Sequence, residues 1–279
     1  TEGPLWHPEG HLQFVNNRIN RIYRLKPGGE PEVIRENSGA ANGLTFDLQG
    51  RLIMCEGDNR QMTRMEPDGS IRVIADRLEG KRLNRPNDVV CRSDGSIYFT
   101  DPGGRLAPAD REIGFNGVHR IAPNGSVSAV ITDLEYPNGL AFSPDERILY
   151  ADNTRRDDRC AQEKERGEVC THQYIRAYDV APDGTLSNSR IFANMHSAED
   201  GVPDGMKVDT DGRVYCTGAE GVWVFESSGN HVGIIRLPEI PANCAWGDAD
   251  YRTMYFTARS SVYRLRMKTT GINPWRHPE

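Results

Sequence analysis

A short polar–apolar unit recurs along this chain, and the repeat limits the fold more than any other feature. Each unit begins with Glu, Asn or Asp, continues as a short apolar strand, and is followed by a second strand rich in aromatic and β-branched residues. The intervals between successive starts are 40, 45, 51, 66 and 39 residues. A period of about 40–50 residues is typical of four-stranded propeller blades. The six units begin at Glu2, Asn42, Asn87, Asn138, Asp204 and Asn243.

Turn sequences between the strand runs agree with this interpretation. Asp94-Gly95 and Asp211-Gly212 separate first from second strands, and Pro67-Asp68-Gly69 separates a third from a fourth. No stretch of about a dozen residues shows a helical period of 3.6 residues. We therefore predict an all-β fold, a six-bladed β-propeller of four-stranded antiparallel blades that forms a single domain over residues 1–279.

The sixth unit contains only three predicted strands, because residues 268–279 have the composition of a loop. Propellers often complete the last blade with a strand from the N-terminal segment, but Glu2 already begins the first inner strand. We expect the missing strand to come either from residues preceding Thr1 or from the tail.

The composition restricts the partners of the protein. With 34 Lys and Arg against 40 Asp and Glu, the net charge is −6, which argues against nucleic acid or an anionic membrane as the main partner. No apolar run reaches the length of about 18 residues that a membrane span needs. We expect a cytoplasmic monomer or small homo-oligomer; since the chain begins at Thr1, a periplasmic or secreted location stays open. Six cysteines are too few for a disulfide framework, and a bond between Cys160 and Cys170 in a polar loop is left open.

The six polar starting residues are expected to form a ring. The first strand of each blade lines the central channel, so equivalent positions at the starts of these strands surround one mouth of it. Asn and Asp are also common turn residues, but this explains one such position better than six in the same register. A ring of carboxylate and amide oxygens without His or Cys suits a hard divalent cation. We expect one such ion, with Ca²⁺ favoured and Mg²⁺, Mn²⁺ or Zn²⁺ as alternatives.

Four motifs carry a resemblance to a known family. They are "EGPLWHPEG" at 2–10, "LNRPNDVV" at 83–90, "YPNGLAFSPD" at 136–145 and "VPDGMKVDTDG" at 202–212. With these motifs in this order, the chain resembles the regucalcin/gluconolactonase-like lactonases, with more distant similarity to diisopropylfluorophosphatase and the paraoxonases. The resemblance covers essentially the whole chain and implies a divalent-metal-dependent lactonase.

The resemblance also implies roles for individual residues. Glu2, Asn138 and Asp204 would hold the metal, and Asn87 would bind it directly or sit beside it through water or substrate. In such proteins the equivalent of Asp204 is proposed as the general base. By the same resemblance, Arg85 is a candidate for contacting the substrate, and Asp88 is a candidate for supporting the substrate-binding site.

Further candidates come from the residues themselves. Asp101 and Asp152 end second strands, so they should face the mouth, although turn chemistry explains both positions about as well. Asp101 is a candidate for substrate binding. The insertions at 101–117 and 153–173 follow second strands and are expected either to shape the pocket or to be solvated surface loops. Asp209 and Asp211 resemble the start of a calcium loop but occupy a hairpin turn. The histidines, among them His7, His119, His172, His196 and His231, are expected to be surface or packing residues.

The function that combines these features is hydrolysis of a lactone, with a sugar lactone as the favoured substrate. The cation would polarise the carbonyl, and a carboxylate would activate water. Three alternatives remain: a metal-dependent phosphotriesterase or aryl-lactonase, a calcium-binding propeller without turnover, and a non-catalytic interaction scaffold.

Overall fold

The predicted six-bladed propeller is confirmed. The computed structural model describes residues 1–104, 106–155, 162–163, 165–166, 168 and 171–275. The helical residues within this part are a 3₁₀ turn at Pro108–Asp110 and residues 162–163 and 165. No helix among the described residues is long and apolar enough to cross a bilayer.

Each of the first three blades is a four-stranded antiparallel sheet whose strands lie in sequence order from the channel outward. A separate two-stranded hairpin, β9 (Arg77–Leu78) and β10 (Lys81–Arg82), lies between the second and third blades in the chain. The blade strands are β1 (Glu2–His7), β2 (His11–Asn16), β3 (Arg21–Leu25) and β4 (Glu32–Arg35); β5 (Ala41–Phe46), β6 (Leu52–Glu56), β7 (Gln61–Met65) and β8 (Ile71–Ala75); and β11 (Val89–Cys91), β12 (Ile97–Asp101), β13 (Gly117–Ile121) and β14 (Val127–Ile131).

The fourth and fifth blades repeat this pattern, and the sheet of the sixth blade contains three strands within the described residues. The strands are β15 (Pro137–Phe142), β16 (Ile148–Asn153), β17 (Tyr174–Val180) and β18 (Leu186–Asn194); β19 (Met206–Val208), β20 (Val214–Gly218), β21 (Gly221–Phe225) and β22 (His231–Arg236); and β23 (Pro241–Gly247), β24 (Thr253–Ala258) and β25 (Val262–Arg266).

Apolar side chains between neighbouring blades form the core. The two inner strands of each blade are buried almost throughout, whereas outer strands such as β8 and β22 are largely exposed or half-buried. Between the second and third blades, Met62, Leu83 and Phe99 are each completely buried. Burial of both faces of the inner strands removes large apolar areas from water, and this stabilises the stacking of one sheet on the next.

The ring closes where the sixth blade meets the first. Strand β1 contacts β23 and β24, and Trp6 stacks on Tyr255 with ring centroids 5.3 Å apart. The Thr1 amino group donates to the carbonyl of Ala258 at 2.9 Å. Inner strands of both blades therefore make the closing contacts.

The C-terminal tail does not supply a fourth strand to the sixth blade, so that alternative from the sequence is wrong for residues 268–275. Gly271 instead forms an isolated antiparallel bridge with Asp209 of the fifth blade. Farther along, Ile272 packs against the core between the fourth and fifth blades, and Trp275 packs over Gly50. The tail thus covers the face of the propeller opposite the start of β1.

Candidate functional site

A polar pocket of about 260 Å³ lies at the mouth of the channel. Five of the six residues expected to form a ring line this one pocket, each from a different blade: Glu2, Asn42, Asn87, Asn138 and Asp204. The lining also includes polar or charged groups at the rim, such as Asn17, Arg18, Asp58 and Arg85.

The sixth ring residue, Asn243, lies just beneath the pocket. It is 4 % exposed, and its side-chain nitrogen donates to Asp88 Oδ2 at 3.3 Å. Its own Oδ1 accepts the backbone N–H of Cys244 at 2.8 Å. Asn243 therefore supports the floor of the site rather than facing the pocket.

Glycines allow the inner strands to approach each other at the axis. In four of the six units a glycine directly follows the ring residue. A Cβ atom on Gly139 would lie 2.0 Å from the carbonyl oxygen of Asp204, and one on Gly205 would lie 2.0 Å from Cγ of Asn243. Since real Cβ atoms do not approach that closely, these positions require glycine. This role was not predicted from the sequence, although the repeated glycine after the ring residue was the available signal.

A hydrogen bond from the neighbouring strand sets the orientation of Asn138. Its Nδ2 donates to Thr154 Oγ1 at 3.0 Å, and both residues are buried. The side-chain oxygen of Asn138 has no hydrogen-bond partner among the described residues and remains available as a ligand. Thr154 is the residue after β16 and was not among the site residues predicted from the sequence.

A chain of amides orients Asn87. Asn17 Nδ2 donates to Asn42 Oδ1 at 3.2 Å, and Asn42 Nδ2 in turn donates to Asn87 Oδ1. An amide oxygen has two lone pairs, so Asn87 Oδ1 can accept this bond and still bind a cation. Asn42 thus holds the side chain of Asn87 in place.

Two buried carboxyl groups lie beneath the pocket. Asp88 is 4 % exposed, and its oxygens accept the N–H of Val89 and the amide of Asn243. Burial raises the pKa of Asp88, and the positive charge of Lys207 opposes that shift. Asp88 does not line the pocket, so its position agrees with a supporting role and not with direct contact to a substrate.

The second buried carboxyl group is Asp152. Its Oδ2 accepts the N–H of Gly139 at 3.1 Å, whereas its Oδ1 has no hydrogen-bond partner among the described residues. Burial, reinforced by the negative charges of Asp204 and Asp88, raises the pKa of Asp152 well above its ordinary value. Asp152 therefore keeps its proton to a higher pH than a carboxyl group in water does.

Arg85 lines the pocket, and its guanidinium pairs with Asp58 Oδ1 at 2.7 Å. Asp58 also lines the pocket, so this ion pair restrains the planar group at the entrance.

The structure does not support substrate contact by Asp101. Its side chain is completely buried, 3.2 Å from His119 Nε2, and it accepts the backbone N–H of Asn84 at 2.7 Å. Asp101 lies outside the lining of the pocket because these contacts hold it within the third blade. His119 is the buried packing residue that the sequence suggested.

The two insertions have different surroundings. Pro102, from the 101–117 insertion, lines the pocket. In the other insertion, Arg155 is 4 % exposed and pairs with Glu163 and Thr171. Cys160 and Cys170, and with them the disulfide question, lie outside the described residues.

The interpretation of Asp209 and Asp211 as turn residues is confirmed. Asp209 Oδ1 accepts the backbone N–H groups of Asp211 and Arg213, and Arg213 pairs with both carboxylates. These contacts are those of an Asx turn at a hairpin, in which both carboxylates bind groups of the turn itself.

Comparison with known proteins agrees with this geometry. The SMP-30/Gluconolactonase/LRE-like region matches residues 1–260. The gluconolactonase of Zymomonas mobilis is 29 % identical, over 97 % of this chain and 79 % of its own length. Diisopropyl-fluorophosphatase of Loligo vulgaris is 24 % identical, over 97 % of this chain and 90 % of its own length.

A solved structure shows the same architecture. A gluconolactonase from Xanthomonas campestris superposes with a TM-score of 0.82 at 33 % identity, covering 95 % of this chain and 85 % of its own. This chain belongs to the SMP-30/gluconolactonase/LRE-like family.

Proposed function

We propose that this protein hydrolyses a lactone, with a sugar lactone as substrate, and that it depends on a divalent cation at the channel mouth. The observation that carries the proposal is the meeting of Glu2, Asn87, Asn138 and Asp204, from four blades, in one pocket. The similarity to gluconolactonases supports the reaction class.

The residues at the mouth fit a hard cation. Glu2 and Asp204 would supply two carboxylates, which balance the charge of a divalent ion, and the two asparagines would supply neutral oxygens. The hydrogen bond to Thr154 already directs the Asn138 nitrogen away, so its oxygen is the free donor. Because all donors are oxygen and two are amides, we propose Ca²⁺ as the ion. When bound, such a cation polarises a carbonyl group and stabilises negative charge on its oxygen.

Residues of the chain perform the remaining steps. Asp204 accepts a proton from the water that attacks the lactone carbonyl carbon. The bond between this carbon and the ring oxygen then breaks, and Asp204 returns the proton to that oxygen, which becomes the hydroxyl group of the opened acid. Arg85 and the rim asparagines bind the hydroxyl groups of the substrate, and this orients the ring for attack.

A polar lining favours a sugar lactone over an apolar ester. Arg85, Asp58, Asn17 and Asn20 surround the entrance and offer donors and acceptors for several hydroxyl groups. An organophosphorus substrate is the second candidate, because Diisopropyl-fluorophosphatase is among the relatives. Such a substrate would bind at the same oxygen-liganded cation and would not need the hydrogen-bonding groups at the rim of the pocket.

The test is a pH-stat screen of aldonolactones, an aryl lactone and a phosphotriester. We expect turnover of aldonolactones above their spontaneous hydrolysis, and Asp204→Asn should lower kcat by at least about 100-fold, the scale of a lost general base. The measurement is made with saturating Ca²⁺, and bound metal is quantified, so that loss of the ion and loss of the base can be distinguished.

The matched control is Asp211→Asn, an exposed carboxylate in the turn after the same strand. It should retain the wild-type rate. If Asp204→Asn with bound Ca²⁺ turned over as fast as the wild type, the assignment of the base would be wrong. If none of the lactones were hydrolysed, the proposed reaction itself would be wrong.

A further inference from the structure

A second cluster of metal-ligand side chains lies in the hairpin between β1 and β2. His7 and His11 are direct cross-strand partners, and their rings stack with centroids 4.5 Å apart and planes inclined by 10°. Glu9 occupies the turn between them, with Oε2 3.9 Å from His7 Nδ1. One ligand atom from each of the three residues lies within 4.8 Å of the other two.

This cluster is separate from the pocket at the channel mouth. Strand β1 begins at Glu2 in that pocket and ends at His7. Five residue steps along an extended strand correspond to about 16 Å. The cluster therefore lies at the far end of β1, on the face that the C-terminal tail covers.

The imidazole of His11 is 4 % exposed, and its ring nitrogens make no hydrogen bond among the described residues. These nitrogens are therefore available to a metal ion.

His7 Nδ1 accepts the backbone N–H of Glu9 at 3.2 Å, and this bond uses the single lone pair of that nitrogen. A metal ion bound through Nδ1 would replace this hydrogen bond, whereas a metal ion bound through Nε2 would leave it in place.

We propose that His7, Glu9 and His11 form a binding site for a first-row transition-metal ion of the Zn²⁺ type. Two imidazole nitrogens and one carboxylate oxygen, with water in the fourth position, are a common tetrahedral ligand set for zinc. Zinc–ligand bonds of about 2.0–2.1 Å place adjacent ligand atoms about 3.3 Å apart. Glu9 is 76 % exposed, so rotation of its side chain can close the remaining gap.

The chemistry of this site differs from that of the channel mouth. Nitrogen donors suit zinc, copper, nickel and cobalt, whereas Ca²⁺ prefers oxygen ligands. A saturating concentration of Ca²⁺ therefore fills the channel site without competing for the hairpin.

Trp275 provides an optical reporter for the hairpin. Its ring centroid is 5.4 Å from that of His7, and it also packs edge-on against Phe46. A paramagnetic ion such as Cu²⁺ bound to His7 would quench the fluorescence of Trp275. The variant Trp275→Phe should lose this quenching, whereas Trp223→Phe should keep it.

The test is calorimetric titration of the full chain with Zn²⁺ in excess Ca²⁺. We expect one Zn²⁺ to bind per chain. Both His7→Gln and His11→Ala should weaken the affinity for Zn²⁺ more than about 10-fold, because even residues that only support a metal ligand have effects of at least that size. His231→Ala is the matched control, because His231 stacks on Trp223 at 4.7 Å but lacks a second histidine. It should leave the affinity unchanged.

Two results would overturn the proposal. One is the absence of Zn²⁺ binding in excess Ca²⁺, and the other is an unchanged affinity in His7→Gln. His7 is only half-buried, so this variant decides the matter even if His11→Ala fails to fold. Neither result depends on lactone hydrolysis, and the two proposals can therefore fail independently.

Discussion

At the scale of single residues, the channel mouth depends on side chains that orient the proposed ligands. Asn138 donates to Thr154 and thereby presents its oxygen, and Asn42 donates to Asn87. Partners that hold a ligand in one orientation affect metal affinity nearly as much as the ligands themselves. The supporting threonine and amides are therefore part of the proposed site.

Replacement of Thr154 by Val tests this dependence. The variant keeps the shape of the side chain but removes the acceptor for Asn138 Nδ2, so we expect Ca²⁺ affinity to fall by about 10- to 100-fold. Calorimetric titration measures the change. Thr257→Val is the control, because Thr257 is equally buried but bonds only to the backbone carbonyl of Asn243. Equal affinities in wild type and Thr154→Val would contradict the positioning role.

Asp152 gives a prediction for the pH dependence of stability. Its pKa is raised in the folded state, so above about pH 4 the folded protein retains a proton that the unfolded chain releases. The contribution of Asp152 to the free energy of unfolding therefore falls as pH rises, until the pH reaches the folded-state pKa of Asp152. Asn cannot titrate, so the stability advantage of Asp152→Asn should grow by about 1.4 kcal/mol for each pH unit in that window.

Urea unfolding of both proteins at pH 5 and pH 7, in the presence of a chelator, measures this difference. The chelator removes the contribution of a bound cation, which would change the charge around Asp204. A stability difference independent of pH would show that Asp152 is not held in its protonated form.

At the scale of strands, the inner strands meet closely because glycine follows the ring residue. Gly139→Ala would place a methyl group 2.0 Å from the carbonyl of Asp204, so the inner strands of the fourth and fifth blades must separate. We expect a loss of about 1–3 kcal/mol in stability, together with weaker Ca²⁺ binding. Urea unfolding and calorimetric titration measure the two effects.

Gly114→Ala is the matched control for this substitution. A Cβ atom at Gly114 would have no neighbour within 4 Å, and its backbone does not require glycine. The control should leave both stability and Ca²⁺ affinity unchanged. If Gly139→Ala behaved in the same way, the close approach of the inner strands would not be needed for the site.

The repeat in the sequence predicted the strands. It also predicted that the residues of the mouth lie together, because equivalent positions in each blade share one register. It did not predict contacts made by side chains of distant segments. Asp101 has the same place in its blade as residues near the mouth, but His119, 18 residues later, holds it inside the third blade. Likewise, the contact of Trp275 with Gly50 joins the tail to the second blade and has no counterpart in the repeat.

At the scale of the whole molecule, the proposed cation would join blades that are far apart in the chain. Glu2, Asn87, Asn138 and Asp204 come from the first, third, fourth and fifth blades. Only the closed ring brings them to one pocket, so the site and the architecture depend on each other. The central claim is that the cation held there is required to open the lactone.

Aldonolactone hydrolysis by chelator-treated protein in the pH-stat, before and after Ca²⁺ is restored, tests this claim most directly. We expect the treated wild-type protein to show only the spontaneous rate and to recover fully with Ca²⁺, whereas Asp204→Asn should not recover. An undiminished rate in protein shown by metal analysis to be free of divalent cations would contradict the account.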